Sequence, residues 1–188
     1  MIDFIFIKGE RVNREIEHFI ANGYLDLAQM DGKKYFTIWF SRARNAALLV
    51  MHDKMPPFDT EENFLHETNN GDMRLFFGHA YSDNNLIRKA AETRNVGLEG
   101  LRGNWINLDC NSDGSLFLTR SKFNCHQVYY GTKNNCHFIA SRASLVACGM
   151  QHTLSPKIDR RFLRWGVTYG VCCNDSSLFS NVYCLQLW

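Results

Sequence analysis

The sequence NWINLDCNSDGSLFLTR, residues 104–120, places two short apolar runs on either side of the turn Asn111–Gly114. This pattern is typical of an antiparallel hairpin, because Asn, Ser, Asp and Gly favour the tight turn between two strands. Two further strand-like segments follow at Gln127–Gly131 and Cys136–Ala140, each about five residues long. Residues 104–140 therefore predict an antiparallel meander.

The rest of the chain predicts more strands and several helices. Apolar, β-branched and aromatic runs predict the strands Met1–Ile7, Tyr35–Phe40, Ala46–Met51 and Arg74–Ala80. Helical spacing of apolar residues predicts the helices Val12–Asn22, Asp83–Arg94, Ser141–Cys148, and one that Ser155 and Pro156 cap and that runs through Gly166. Residues 55–72 are predicted to form a long loop with a helical turn at Glu61–His66. We predict one domain over residues 1–188, of the α+β class.

Composition limits the classes of function. The chain has 188 residues, 45% of them hydrophobic, which is enough to bury a core without disulfides. Lys and Arg number 21 against 19 Asp and Glu, and we interpret this charge of +2 as spread along the chain, so no nucleic-acid partner is expected. The N-terminal residues lack the pattern of a signal peptide or a membrane span. We therefore predict a cytoplasmic protein without a membrane partner.

The seven cysteines are expected to be free thiols, since their number is odd and no secretion signal precedes them. The repeated pairs Cys125-His126 and Cys136-His137 suggest metal ligands, but the turn between them places Tyr130 opposite Cys136 and moves Cys125 along the ladder. The vicinal Cys172 and Cys173 point to opposite sides of an extended chain. We therefore expect no metal site.

Residues 101–182 carry a series of motifs in a recognisable order. A leucine and a glycine open a strand, a second strand ends in arginine, two tyrosines follow, an Ala-Ser pair precedes a helix, and a Leu-Phe pair leads to the last strand. The residues concerned are Leu101, Gly103, Arg120, Tyr129, Tyr130, Ala140, Ser141, Leu178 and Phe179. This series resembles the class II glutamine amidotransferase domain of the asparagine synthetase and β-lactam synthetase family. The resemblance implies an αββα sandwich of two mainly antiparallel sheets between helical layers, as in N-terminal-nucleophile hydrolases.

The resemblance also implies where the substrate site lies and that it is degenerate. The family's nucleophile is a cysteine exposed by loss of the initiator Met, and this chain has Ile2 there. Where the family holds the oxyanion with Asn and Gly, this chain has Phe77 and Gly78. His79 replaces a glutamate, and Arg102 replaces the acidic residue that receives the glutamine amine. The resemblance thus implies no catalytic residue and no cofactor.

Three functions are compatible with these residues. The leading hypothesis is a glutaminase-dead domain with a structural or docking role for an ATP-dependent amide ligase, attached in cis or in trans, with homo-oligomerisation possible. The second is an active hydrolase with an unrecognised nucleophile, although Cys125 and His126, as neighbours on a strand, point apart. The third is a binding module in which His79, Arg102 and Arg142 make the old pocket basic and suited to an anion.

Overall fold

The computed structural model describes residues 2–21, 23–24, 32–53, 64–81, 101–121, 127–169 and 177–185. Six of its strands form one antiparallel sheet, sheet A, with the order β10-β8-β9-β1-β3-β2. In chain order these strands are Asp3–Lys8 (β1), Tyr35–Phe40 (β2), Ala46–His52 (β3), Tyr129–Lys133 (β8), Cys136–Ala140 (β9) and Tyr183–Cys184 (β10). The first strand of the chain therefore lies in the middle of sheet A, where β9 and β3 pair with its two edges.

Four strands form a second antiparallel sheet, sheet B, with the order β4-β5-β6-β7. These strands are Phe64–Glu67 (β4), Met73–Tyr81 (β5), Arg102–Cys110 (β6) and Leu116–Arg120 (β7). Two antiparallel sheets together with helices confirm the prediction of an α+β chain with two mainly antiparallel sheets.

An apolar core lies between the two sheets. Alternate residues of β1, among them Phe4 and Phe6, point from sheet A into a cluster with Leu75, Phe77 and Ile106 of sheet B. Each of these side chains is at most 5% exposed. Full burial of a side chain of this size stabilises the fold by roughly 1.5–3 kcal/mol. The period-2 pattern of these strands thus explains why the sheets stack.

The opposite face of sheet A is covered by two helices. The other residues of β1, Ile5 and Ile7, join a second buried cluster with Ile16 and Phe19 of α1, Val12–Ala21, and with Val146 of α2, Ala143–Gln151. Helix α1 begins at Val12 as predicted and is described to Ala21; Asn22 lies outside the described residues, and Gly23 has a φ of 76°. No helix among the described residues is long and apolar enough to cross a bilayer.

A third helix, α3, spans Arg160–Tyr169. Its cap differs from the prediction, because the Asp159 carboxylate accepts hydrogen bonds from the backbone N–H groups of Arg161, at 2.8 Å, and Phe162, at 3.4 Å. Asp159 therefore caps this helix instead of Ser155. The residues before the helix pair with the segment that leads to β10, since Ile158 bridges to Phe179.

Two further predictions of local structure are wrong. The hairpin β8–β9 turns at Asn134 and Asn135, both with positive φ, so Lys133 faces Cys136 and Tyr130 faces Ile139. Two consecutive Asn residues suit this tight turn, which sets the register three residues away from the predicted one. The predicted helical turn ending at His66 is also wrong, because residues 64–67 form β4. The predicted helix 83–94 and Cys125, His126, Cys172 and Cys173 lie outside the described residues.

Candidate functional site

The start of β1 lies at one end of the space between the sheets. Ile2 is half-buried and packs against the apolar cluster that joins the two sheets. The rings of Phe4 and Phe77 are 6.0 Å apart, centroid to centroid, within the same cluster. The structure therefore brings Ile2 and Phe77 to one cluster.

Gly78 occupies a position on β5 that no other residue fits. Its φ is 121°, a conformation that side chains with a Cβ rarely adopt. A Cβ atom there would lie 2.2 Å from the backbone oxygen of Asn104 and 2.7 Å from Cα of Trp105. The glycine thus allows β5 and β6 to approach closely at this point of sheet B.

His79 and Arg102 lie on the adjacent strands β5 and β6. His79 pairs with Asn104, and Arg102 pairs with Tyr81, so the two are diagonal neighbours across the ladder. By strand alternation they share the face that Phe77 turns toward sheet A. Both side chains are exposed. The structure therefore brings Phe77, His79 and Arg102 to one face of sheet B, with the two basic groups at its rim.

Sheet A carries a buried histidine on the face that it turns toward sheet B. His52 is 1% exposed and follows Leu48 and Val50 on the inner face of β3. Its ring stacks on Tyr35 with centroids 6.0 Å apart, and its Nε2 lies 3.4 Å from Oγ1 of Thr37. The alternation of the sequence around β3 carried this signal, because it places residue 52 on the same face as residue 50.

The opposite face of sheet A carries a buried ionic cluster around Asp3. Its carboxylate is 2.5 Å from Nζ of Lys33 and accepts hydrogen bonds from Oγ of Ser141 and Nε of Arg142, at 3.0 and 2.9 Å. Nη2 of Arg142 lies 2.8 Å from the second oxygen. Arg142 is thus bound to Asp3 on the helix side of sheet A. The structure separates it from His79 and Arg102, with which it was predicted to form a basic pocket.

The three buried cysteines among the described residues offer little thiolate for nucleophilic chemistry. Burial raises the pKa of the thiols of Cys110, Cys136 and Cys148, and the thiolate is the nucleophilic form. Cys184 is half-exposed. Among the described residues no group of three His, Cys, Asp or Glu side chains is arranged to hold a metal ion.

No protein-family model matches the chain, and no curated protein matches it. The likeness to class II amidotransferases therefore rests on the residues of the chain and stays a prediction.

Proposed function

We propose that the chain is a glutaminase-dead amidotransferase-type domain with an αββα fold, which docks onto an ATP-dependent amide ligase. The observation that carries the proposal is Ile2, whose aliphatic side chain packs into the inter-sheet cluster at the position where the resembled family has its nucleophile. An apolar side chain there has no atom that can attack an amide.

The arrangement of strands supports the fold part of the proposal. The first strand lies in the middle of one antiparallel sheet, and a second antiparallel sheet stacks on it. Helices α1 and α2 cover the outer face of the first sheet. This order of helix, sheet and sheet matches three of the four layers that the resemblance implies.

The groups around Ile2 support the loss of glutaminase activity. Phe77 stands where the family has the side-chain donor of the oxyanion hole, and it is 5% exposed in an apolar cluster. A buried ring offers no hydrogen bond to a developing oxyanion. Arg102 stands where the family has an acidic residue that binds the ammonium group of glutamine, and its positive charge would repel that group. A domain that has lost nucleophile and ligands together acts by binding, and an amide ligase is the partner that the resemblance implies.

Two measurements test this function. Purified protein should release no glutamate or ammonia from glutamine, and its intact mass should include Met1. A tagged chain isolated from its native cell should carry an activity that exchanges pyrophosphate with ATP, as an adenylate-forming ligase does. Glutamine turnover at a constant level through purification would contradict the first part. Absence of any ATP-pyrophosphate exchange in the isolated complex would contradict the second.

A second candidate, an anion-binding module, is favoured by one observation. His79 and Arg102 are exposed, share a face, and as diagonal neighbours have Cβ atoms about 7–8 Å apart. This spacing suits one carboxylate or phosphate group between them. Calorimetric titration with citrate or inorganic phosphate tests it, with Arg102→Gln as the variant and Arg42→Gln as the control. Heat that persists unchanged in Arg102→Gln would remove this candidate.

A further inference from the structure

Positive charge is concentrated at the start of α3. Residues 154–164, LSPKIDRRFLR, contain one Lys, three Arg and one Asp, so their net charge is 4 − 1 = +3. The whole chain carries +2, and the remaining residues therefore sum to 2 − 3 = −1. Residues 154–164 thus hold a local excess of positive charge, as do residues 33–44 with two Lys, two Arg and no acidic residue, which differs from the even spread expected from the sequence.

The four basic side chains are all exposed: Lys157, Arg160, Arg161 and Arg164. Within the described ranges, none of them forms an ion pair. The first turn of α3 contains no acidic residue. Cations at this end oppose the helix dipole, which favours anions at an N-terminus. The Asp159 carboxylate already occupies the helix N-terminus, so the exposed arginines are the groups that would favour an external anion here.

Three exposed aliphatic side chains lie among the basic ones: Leu154, Ile158 and Leu163, which are 47, 48 and 44% exposed. At 3.6 residues per turn, Leu163 lies about 60° from Arg160 around the helix. Phe162, on the opposite side of the helix from Arg160, is half-buried. These aliphatic residues and the four basic ones form what we name the α3 surface.

The backbone holds the α3 surface in place. Asp159 donates its N–H to the carbonyl of Leu178 at 2.8 Å, and Ser180 donates to the carbonyl of Lys157 at 3.2 Å. The Asp159 side chain caps the helix. Basic and apolar groups are therefore presented on an ordered segment, which lowers the entropy that binding must overcome.

We propose that the α3 surface docks an acidic amphipathic segment of a protein partner. Arginines would pair with its carboxylates while Leu154, Ile158 and Leu163 contact its apolar residues. The proposal rests on the docking role above and gives the partner its chemistry: the ligase contributes Glu or Asp residues around an apolar stripe.

Other occupants fit the α3 surface less well. A second copy of the chain that docked symmetrically would place two segments of net charge +3 against each other, and they would repel. A membrane-surface helix turns its apolar face to the lipid, whereas Phe162, on the side of α3 opposite Arg160, is half-buried. Duplex DNA offers phosphates to the arginines but no apolar counterpart for three exposed aliphatic side chains.

The test uses the full chain and a fluorescein-labelled amphipathic peptide of leucine and glutamate, with binding followed by fluorescence anisotropy. The variant Arg160→Glu/Arg164→Glu should weaken binding about tenfold or more. The matched reversal Lys34→Glu/Arg42→Glu, at exposed positions flanking β2 on the far edge of sheet A from β10, should leave it unchanged. Leu163→Ser should weaken binding without changing charge. Circular dichroism checks that each variant is folded.

Several outcomes would overturn the proposal: no binding of the peptide, equal weakening by both charge reversals, or tighter binding to phosphatidylglycerol vesicles or duplex DNA. These outcomes are separable from failure of the proposed function. If the ligase remains with the chain when Arg160 and Arg164 are reversed, docking occurs elsewhere and only the α3 proposal fails. If the peptide binds but no ligase activity accompanies the chain, the proposed function fails and the α3 surface stands.

Discussion

The ring of Phe77 packs against the ring of Phe4 at 6.0 Å, with their planes inclined by 60°. Phe4 belongs to sheet A and Phe77 to sheet B, so this pair helps to join the two sheets. Phe77 is 5% exposed, and its ring is part of the core between the sheets, so its loss would cost stability.

Under the proposed function, a cysteine at position 2 should not by itself give the chain glutaminase activity. We expect Ile2→Cys to lose Met1, because a small second residue permits its removal, and still to hydrolyse no glutamine. Adding Phe77→Asn should lower the free energy of unfolding by about 3 kcal/mol, since a buried ring is lost from the core. Intact mass, ammonia release and urea unfolding measure these three effects. Glutamine turnover by Ile2→Cys alone would show that the remaining pocket is intact.

Removal of the Asp3 carboxylate should destabilise the fold strongly. Asp3→Asn leaves the ammonium of Lys33, whose side chain is 2% exposed, without its charge partner. Breaking such a buried pair costs about 3–5 kcal/mol. The double variant Asp3→Asn/Lys33→Met should recover part of this loss, because no buried charge remains. Urea unfolding of both variants gives the comparison, and equal stability of the two would contradict a buried ion pair.

Gly78→Ala should be far more damaging than Gly71→Ala. Both glycines have positive φ, 121° and 78°, but a Cβ at Gly71 meets no atom within 4 Å. The control variant should therefore cost only about 1–2 kcal/mol of backbone strain. Gly78→Ala adds a clash with the backbone of Asn104 and should cost at least about 3 kcal/mol. Thermal unfolding measures the stability of both variants. Similar unfolding midpoints would contradict the close approach of β5 and β6 at Gly78.

Arg160→Glu should stabilise the fold while it weakens binding to the acidic peptide. A glutamate in the first turn of α3 interacts favourably with the helix dipole and should raise the free energy of unfolding by about 0.3–1 kcal/mol. Loss of binding with a gain in stability separates a functional role from a structural one. A lower unfolding midpoint for this variant would show that Arg160 supports the fold.

Stability should fall at alkaline pH through the buried thiols. Burial raises the pKa of Cys110 above its ordinary value of 9.0. The unfolded chain thus releases this proton first, so the contribution to stability is complete below pH 9 and is lost as pH rises above it. Urea unfolding between pH 7 and about 10 should show a shallower decline for Cys110→Ala than for the unaltered chain. Cys184→Ala, which changes a half-exposed thiol, should leave the slope unchanged.

Sequence patterns predicted most of the strands because their signals are local. The hairpin of β2 and β3 was predicted within one residue of each end, since its apolar runs are continuous and the residues between them are polar. The register of β8 and β9 was missed because it depends on which two residues of the turn take positive φ. The Asp159 cap was missed because Ser155 and Pro156 gave an equally good local signal upstream.

The composition of the candidate site was harder to predict than the strands. The binding of Arg142 to Asp3 joins residues that are 139 positions apart, and no periodicity in the sequence indicates such a pair. The place of His52 beside Tyr35 and Thr37 was readable from alternation along β3, once that strand was assigned an inner face. Phe77, His79 and Arg102 share one face of sheet B because of the register between β5 and β6. A single sequence does not specify that register.

The central position of β1 has a consequence for synthesis on the ribosome. One edge of β1 pairs with β3, which is synthesised soon afterwards. The other edge pairs with β9, so Ile5 cannot pair with Ala140 until the ribosome has added residue 140. Until then the edge of an apolar strand has no neighbour of its own, and open edges of this kind recruit other chains. Contacts between residues so distant in sequence also form slowly. A nascent chain halted before residue 136 should therefore aggregate or bind chaperones, whereas one released after residue 140 should be able to close the sheet.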